Sequence, residues 1–205
     1  MKRVAIDIGH ANGSGARGNG YDEHAQCAKL AAELKKALSQ FKLTRIEADI
    51  IDFPEAGNSG DLAATAKAVN AGNYDACVSL HMDAASKIVR YENITYPDGT
   101  TADYPIYEND PRPHGAHVCY YSTNGKVLAH RIAVRLCPQM PGRANQTVKR
   151  DDLYILKKTK PVAVLVECGF ITNSGDSAWV DQNPDRVALS IALGIADYLD
   201  DYGQN

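Results

Sequence analysis

The sequence lacks long apolar runs, paired cysteines and any marked charge excess. No stretch of about 18 apolar residues occurs, which excludes a helical membrane span. The apolar part of the amino terminus is too short for a signal peptide, so the chain is expected to be made in the cytoplasm without one. The five cysteines, Cys27, Cys77, Cys119, Cys137 and Cys168, are odd in number, widely separated and never spaced Cys-x-x-Cys. That pattern points away from both a disulfide framework and a thiolate zinc site. It predicts buried, reduced thiols in a chain that folds in a reducing compartment. A net charge of −3 offers no basic stripe and argues against a nucleic-acid partner. Internal repeats, low-complexity tracts and linker-like stretches are also absent, so residues 1–205 read as one domain.

What remains is the composition of an ordinary globule, 44% hydrophobic and 23% charged. A chain this long buries roughly 70% of its unfolded surface and needs no staple in order to fold. Residues 3–8 read as a short apolar strand, followed by a loop holding Gly13, Gly15, Gly18 and Gly20. Over 22–40 the spacing of Cys27, Leu30, Ala31, Leu34 and Leu38 predicts a helix with one buried face. Strands are expected at 48–53, 74–80, 116–122, 153–156 and 161–167, with helices at 61–71 (capped by Asp61), 125–138 and 184–198. Alternating strands and helices predict an α/β three-layer sandwich with a mostly parallel, twisted sheet of about six strands. Residues 85–113, with four prolines and the tyrosines 91, 96, 104 and 107, follow no clear period and read as an insertion.

Ligands of open α/β sheets bind outside the carboxyl ends of the strands. His10 follows the first predicted strand, His81 the third, and Glu167 ends the most apolar one, while Asp22-Glu23 opens the first helix. Two imidazoles and a carboxylate form a tripod for a catalytic zinc, and a further carboxylate can serve as proton acceptor. Each residue also has a plain reading. A strand-end histidine can be structural, and a helix-start glutamate can simply complement the dipole. Glu167 is the costly one, because an acid ending so apolar a strand needs a partner, a metal or the sheet edge.

The blocks Ile6-Asp7-Ile8-Gly9-His10, Gly20-Tyr21-Asp22-Glu23, Val78-Ser79-Leu80-His81-Met82-Asp83-Ala84 and the run from Leu153 to Asn173 around Glu167 resemble, in order, the type-3 family of zinc-dependent N-acetylmuramoyl-L-alanine amidases. These are catalytic domains of autolysins and phage endolysins, and the likeness covers nearly the whole chain. The resemblance implies a phosphorylase/hydrolase-like fold, Zn2+ held by His10, Glu23 and His81, and Glu167 as the catalytic acid/base. It further implies peptidoglycan or a muropeptide as substrate, cut between N-acetylmuramic acid and L-alanine, with no nucleic acid and no membrane insertion. Two other readings stand beside it: a metallopeptidase cutting within the stem peptide, and a peptidoglycan-binding homologue without activity. Action on the wall would follow release by a holin or lysis, unless the chain is a domain of a secreted autolysin.

The chain departs from the family pattern at several points. Asp83 stands where the family usually has asparagine, and Arg143 and Arg150 both lie near a single family arginine, so neither receives a role. Among the other histidines, His24, His117 and His130 read as structural or exposed, and His114 as a weak approach to the site from the insertion.

Overall fold

The computed structural model describes residues 1–11, 13–41, 44–53, 55, 58–140 and 146–202. The elements run β1 (Lys2–Ile8), β2 (Arg17–Gly18), β3 (Tyr21–Asp22), α1 (Glu23–Leu38), β4 (Ile46–Ile51), α2 (Asn58–Ala71), β5 (Ala76–Asp83), β6 (Ser86–Thr95) and β7 (Thr101–Asn109). After these come β8 (His117–Tyr120), α3 (Thr123–Leu136), β9 (Thr147–Lys149), α4 (Tyr154–Lys158), β10 (Val162–Phe170), α5 (Ser174–Gln182) and α6 (Pro184–Tyr202).

The main sheet has six strands in the order β4-β1-β5-β10-β8-β9. Strands β4, β1, β5 and β10 are parallel, β8 runs antiparallel to β10, and β9 lies parallel to β8. The three-layer sandwich read from the sequence is therefore present. Side chains alternate across the pleat, so each strand feeds two cores. Val4, Ile6, Val78, Leu80, Val164 and Val166 pack with α1, α3 and α6. Ala5, Cys77, Leu165 and Cys119 face the other way, against Val69 of α2 and Ile155 and Leu156 of α4. Asp22 caps α1, its carboxylate accepting the Ala25 N–H at 3.1 Å.

Several expected elements differ. Residues 153–156 form no strand; Tyr154–Lys158 is helical and covers the second sheet face with Ile155 and Leu156. A four-residue apolar run has no period long enough to separate the two states. The edge position goes instead to β9, three residues long and without an apolar signature. Helix α2 begins at Asn58, so position 61 lies inside it and not at its start. Helix α5 has no counterpart in the sequence reading.

Residues 85–113 contain the β6–β7 hairpin, a separate two-stranded sheet. All ten residues of β6 are exposed, so neither face carries the apolar alternation by which a strand is recognised. Its tip is a Pro97-Asp98-Gly99 turn: Gly99 has φ +82°, and the Asp98 carboxylate accepts the Thr100 N–H at 3.0 Å.

Candidate active site

The carboxyl ends of β1, β5 and β10 and the start of α1 meet at one edge of the sheet, and four ionisable residues collect there. His10 follows β1 with φ +63°, a left-handed conformation that a non-glycine residue adopts at a cost. Its Nε2 lies 3.4 Å from Oε2 of Glu23. From the end of β5, Nδ1 of His81 donates to Oε1 of Glu23 at 3.1 Å. The two imidazoles meet edge to face, ring centres 5.0 Å apart. Two backbone amides fix the Glu23 carboxylate further: Ala16 N–H donates to Oε2 at 2.8 Å and Met82 N–H to Oε1 at 3.0 Å.

This donor set fits a metal ion. One ligand atom from each of His10, Glu23 and His81 falls within 4.8 Å of the other two. Donors bonded at about 2.0–2.1 Å to a tetrahedral zinc lie roughly 3.3 Å apart, close to the 3.1 and 3.4 Å found here. The surroundings admit no extra bulk. A side chain at Gly9 would run into the His81 imidazole, and a Cβ at Gly15 would stand 3.0 Å from Oε2 of Glu23.

Charge is shared within the set. Burial works against the imidazolium of His81, but its hydrogen bond to Glu23 and the carboxylates of Glu167, Glu23 and Asp7 carry its pKa up to about 9. Burial likewise raises Glu23, and the hydrogen bond from His81 with the nearby imidazoles overcomes it, leaving Glu23 below its ordinary value.

Glu167 pairs in register with His81 across β10 and β5, so both side chains point to the same face. Directly after it the register shifts, and Gly169 (φ +150°) takes part in that irregularity. Cys168 points to the opposite face, into the main core. Burial first, and then Glu167, push its thiol well up. All five cysteines are free and buried, as expected from their spacing.

The remaining candidates lie outside this cluster or at its rim. Arg143 falls outside the described residues. Arg150 makes two bonds to Asp152, 2.7 Å from Nε and 2.6 Å from Nη2. His24 is buried 3.0 Å from Asp52, while His114 and His130 are exposed. Two partners escaped the sequence reading. Asp7 of β1 accepts the Ser79 hydroxyl beneath the site. His117, given no functional role there, is buried with its Nε2 3.8 Å from Oδ2 of Asp83.

Comparison with known proteins places this arrangement. The chain is 28% identical over 202 residues to the N-acetylmuramoyl-L-alanine amidase LytC of Bacillus subtilis (strain 168), covering 95% of this chain and 35% of that protein. It is 26% identical to an uncharacterized cell wall amidase of Bacillus anthracis, covering 100% of this chain and 36% of that one. The chain thus spans about a third of the length of these two relatives. Its fold matches the catalytic domain of the CD27L endolysin targeting Clostridia Difficile, with a TM-score of 0.76 at 23% identity, covering 96% of this chain and 98% of that one. The N-acetylmuramoyl-L-alanine amidase family model matches residues 4–197, and the chain belongs to that family.

Proposed function

We propose that residues 1–205 form one catalytic domain that hydrolyses the amide between N-acetylmuramic acid and L-alanine of peptidoglycan, with zinc held by His10, Glu23 and His81 and Glu167 as acid/base. The observation that carries this reading is the convergence of two imidazoles and two carboxylates, from four distant chain segments, in a chain of this family. Zinc at such a site supplies Lewis acidity, which acidifies water and polarises a carbonyl oxygen. Glu23 offers a carboxylate already shaped by two backbone amides, so little reorganisation accompanies metal entry. Glu167 takes the proton of the attacking water and returns it to the leaving nitrogen of L-alanine. The role needs a carboxylate at the sheet edge beside the metal donors, which is the position opposite His81.

The exposed tyrosines 91, 104 and 107 of the hairpin, with Tyr96 at its tip, extend the proposal to the wall polymer. A tyrosine presents a flat apolar ring that a sugar face can cover. The hairpin begins at Ser86, two intervening residues after β5 ends at Asp83, at the edge where the site lies. Wall recognition by such contacts suits a chain whose net charge of −3 gives no electrostatic attraction to an anionic wall.

Digestion of purified peptidoglycan tests the reading. The expected products are new L-alanine amino termini on intact glycan strands. New termini only at other stem positions would instead establish a peptidase, and an absence of products from the zinc-loaded chain a binding protein. Glu167→Gln is expected to keep zinc and to lose turnover by about 10²–10⁴-fold.

A further inference from the structure

We propose that Arg17 binds a carboxylate on the stem peptide of the substrate and so selects a charged peptide over an amidated one; the inference rests on the amidase reading given above. Beside the proposed metal donors lies a cleft of about 470 Å³, lined by Arg17, Gly18, Gly20, Tyr21 and Asp22. Asp22 directly precedes Glu23, and Arg17 directly follows Ala16, whose N–H donates to Oε2 of Glu23. The same loop reaches the other donors, since a Cβ at Gly15 would stand 3.2 Å from Cγ of His10. One stretch of chain therefore carries both the cleft and part of the metal set.

The walls of the cleft are fixed on both flanks. Arg17 pairs with Asp22, and Gly18 with Tyr21, in the short β2–β3 sheet. Gly18 packs against the Ile171 carbonyl oxygen, just past β10, with no room for a Cβ between them. The Asn19 amide donates to that same oxygen at 2.9 Å. From the end of β7, the Asn109 amide donates to the Arg17 carbonyl oxygen at 3.2 Å. Backbone held in this way before a ligand arrives lowers the ordering cost of binding.

Arg17 is the cation among the five lining residues, and it has donors to spare. Its Nε donates to Oδ2 of Asp22 at 3.1 Å, and its side chain is 68% exposed. Asp22 is engaged at both oxygens, because Oδ1 accepts the Ala25 N–H. The grip on Nε orients the guanidinium and leaves its outer edge open: Nη1 and Nη2 make no hydrogen bond to the described residues. That edge matches a carboxylate with two parallel bonds. Asp22 offsets the charge at long range, so recognition here works through close contact.

Of the two halves of the proposed substrate, only the peptide offers such a partner. The lactyl carboxyl of N-acetylmuramic acid is tied up in the amide that is cut, and an N-acetylated sugar is uncharged. A stem peptide carries carboxylates wherever an acidic residue is not amidated. Arg17 follows directly on the residue that holds Glu23, so the carboxylate concerned is the one nearest the cut bond, on the residue after L-alanine.

The test uses the full zinc-loaded chain and two soluble muramoyl-tripeptides, alike except that the carboxyl of the second residue is free in one and amidated in the other. The parent protein should favour the free acid by about three- to tenfold in kcat/KM, the range of one charge-assisted contact that stays partly in water. In Arg17→Gln the ratio of acid to amide should fall to about one. A loss of fold or of metal lowers both rates and leaves that ratio where it was. A parent protein without the preference, or an Arg17→Gln that retains it, overturns the proposal. Should Arg17→Gln fail to fold, Arg17→Lys decides, because it keeps the charge and loses the fork. A ratio reduced at least about twofold supports the role, and a smaller change refutes it. Failure of the parent protein to cut either peptide between muramic acid and L-alanine removes the amidase reading and the inference with it, whereas equal cutting of both removes only the inference.

Discussion

Nδ1 of His81 donates to Oε1 of Glu23 across 3.1 Å, and each group sustains the charge of the other. Both residues belong to the proposed metal donor set, so the proton they share would have to leave for an ion to bind.

The consequence is a pH dependence of metal binding. Folding raises the pKa of His81 from 6.5 to about 9. Its stabilisation of the metal-free form is therefore complete below pH 6.5 and is lost as pH rises through about 9. Glu23 is lowered from 4.5, so its contribution is present above that value and fades as pH falls through the depressed one. Zinc must displace the His81 proton, and its affinity should rise about tenfold per pH unit from pH 7 toward 9. Chelator competition at several pH values measures this, and an affinity flat across that range would contradict it. Between pH 7 and 10 the metal-free protein should lose more thermal stability than the zinc-loaded one.

Gly9→Ala places a methyl group against the His81 imidazole. The ring must rotate or β1 must shift, which costs about 1–3 kcal/mol by overpacking. Zinc affinity should fall about 10–100-fold, as when a ligand loses its orientation. Isothermal titration with zinc reads this directly, and wild-type affinity would show that the imidazole tolerates displacement.

Gly194→Ala probes the fold without touching the site. Gly194 lies in α6, and a Cβ there would come within 2.7 Å of the Arg131 carbonyl oxygen and the Ile132 nitrogen in α3. Backbone cannot rotate away, so the two helices must separate. The expected cost is about 1–3 kcal/mol, or roughly 2–12 °C in Tm for a chain of this size. Thermal unfolding of the zinc-loaded protein gives the answer, with per-molecule activity near wild type below the transition.

Replacing residues 86–109 by a short Gly-Ser link should leave the domain folded. Asp110 N–H already donates to the Ala85 carbonyl at 2.8 Å, so the two ends of the excision are adjacent. The hairpin carries no residue of either buried core. Tm should change by less than about 2–4 °C, corresponding to no more than about 1 kcal/mol. Turnover of a soluble muropeptide should persist while lysis of intact walls falls. Equal loss on both substrates would assign the hairpin to the site itself and not to the polymer.

How far the sequence reveals this molecule depends on the range of the interaction concerned. The runs at β1, β5 and β10 are apolar on both faces and mark the sheet interior, and with it the strand ends that hold His10, His81 and Glu167. Asp22 and Glu23 are legible because caps and first-turn acids obey local rules. Residues 153–158 mislead because a run that short satisfies both periods. The hairpin carries no period because water covers both its faces. The pairings of Glu167 with His117 and of Asp7 with Ser79 depend on which strands become neighbours, and no local pattern encodes that.

The order of the donors along the chain has a further consequence, for assembly. His10 just after β1, Glu23 of α1 and His81 of β5 all lie in the first 83 residues, whereas Glu167 joins only when β10 docks beside β5. Pairing β10 with β5 closes a long loop, the kind of contact that forms late in folding. A chain emerging from its amino terminus thus has its proposed metal donors in hand well before its proposed proton acceptor. Under the proposed assignment, metal capture and catalytic competence would be separated in time during synthesis.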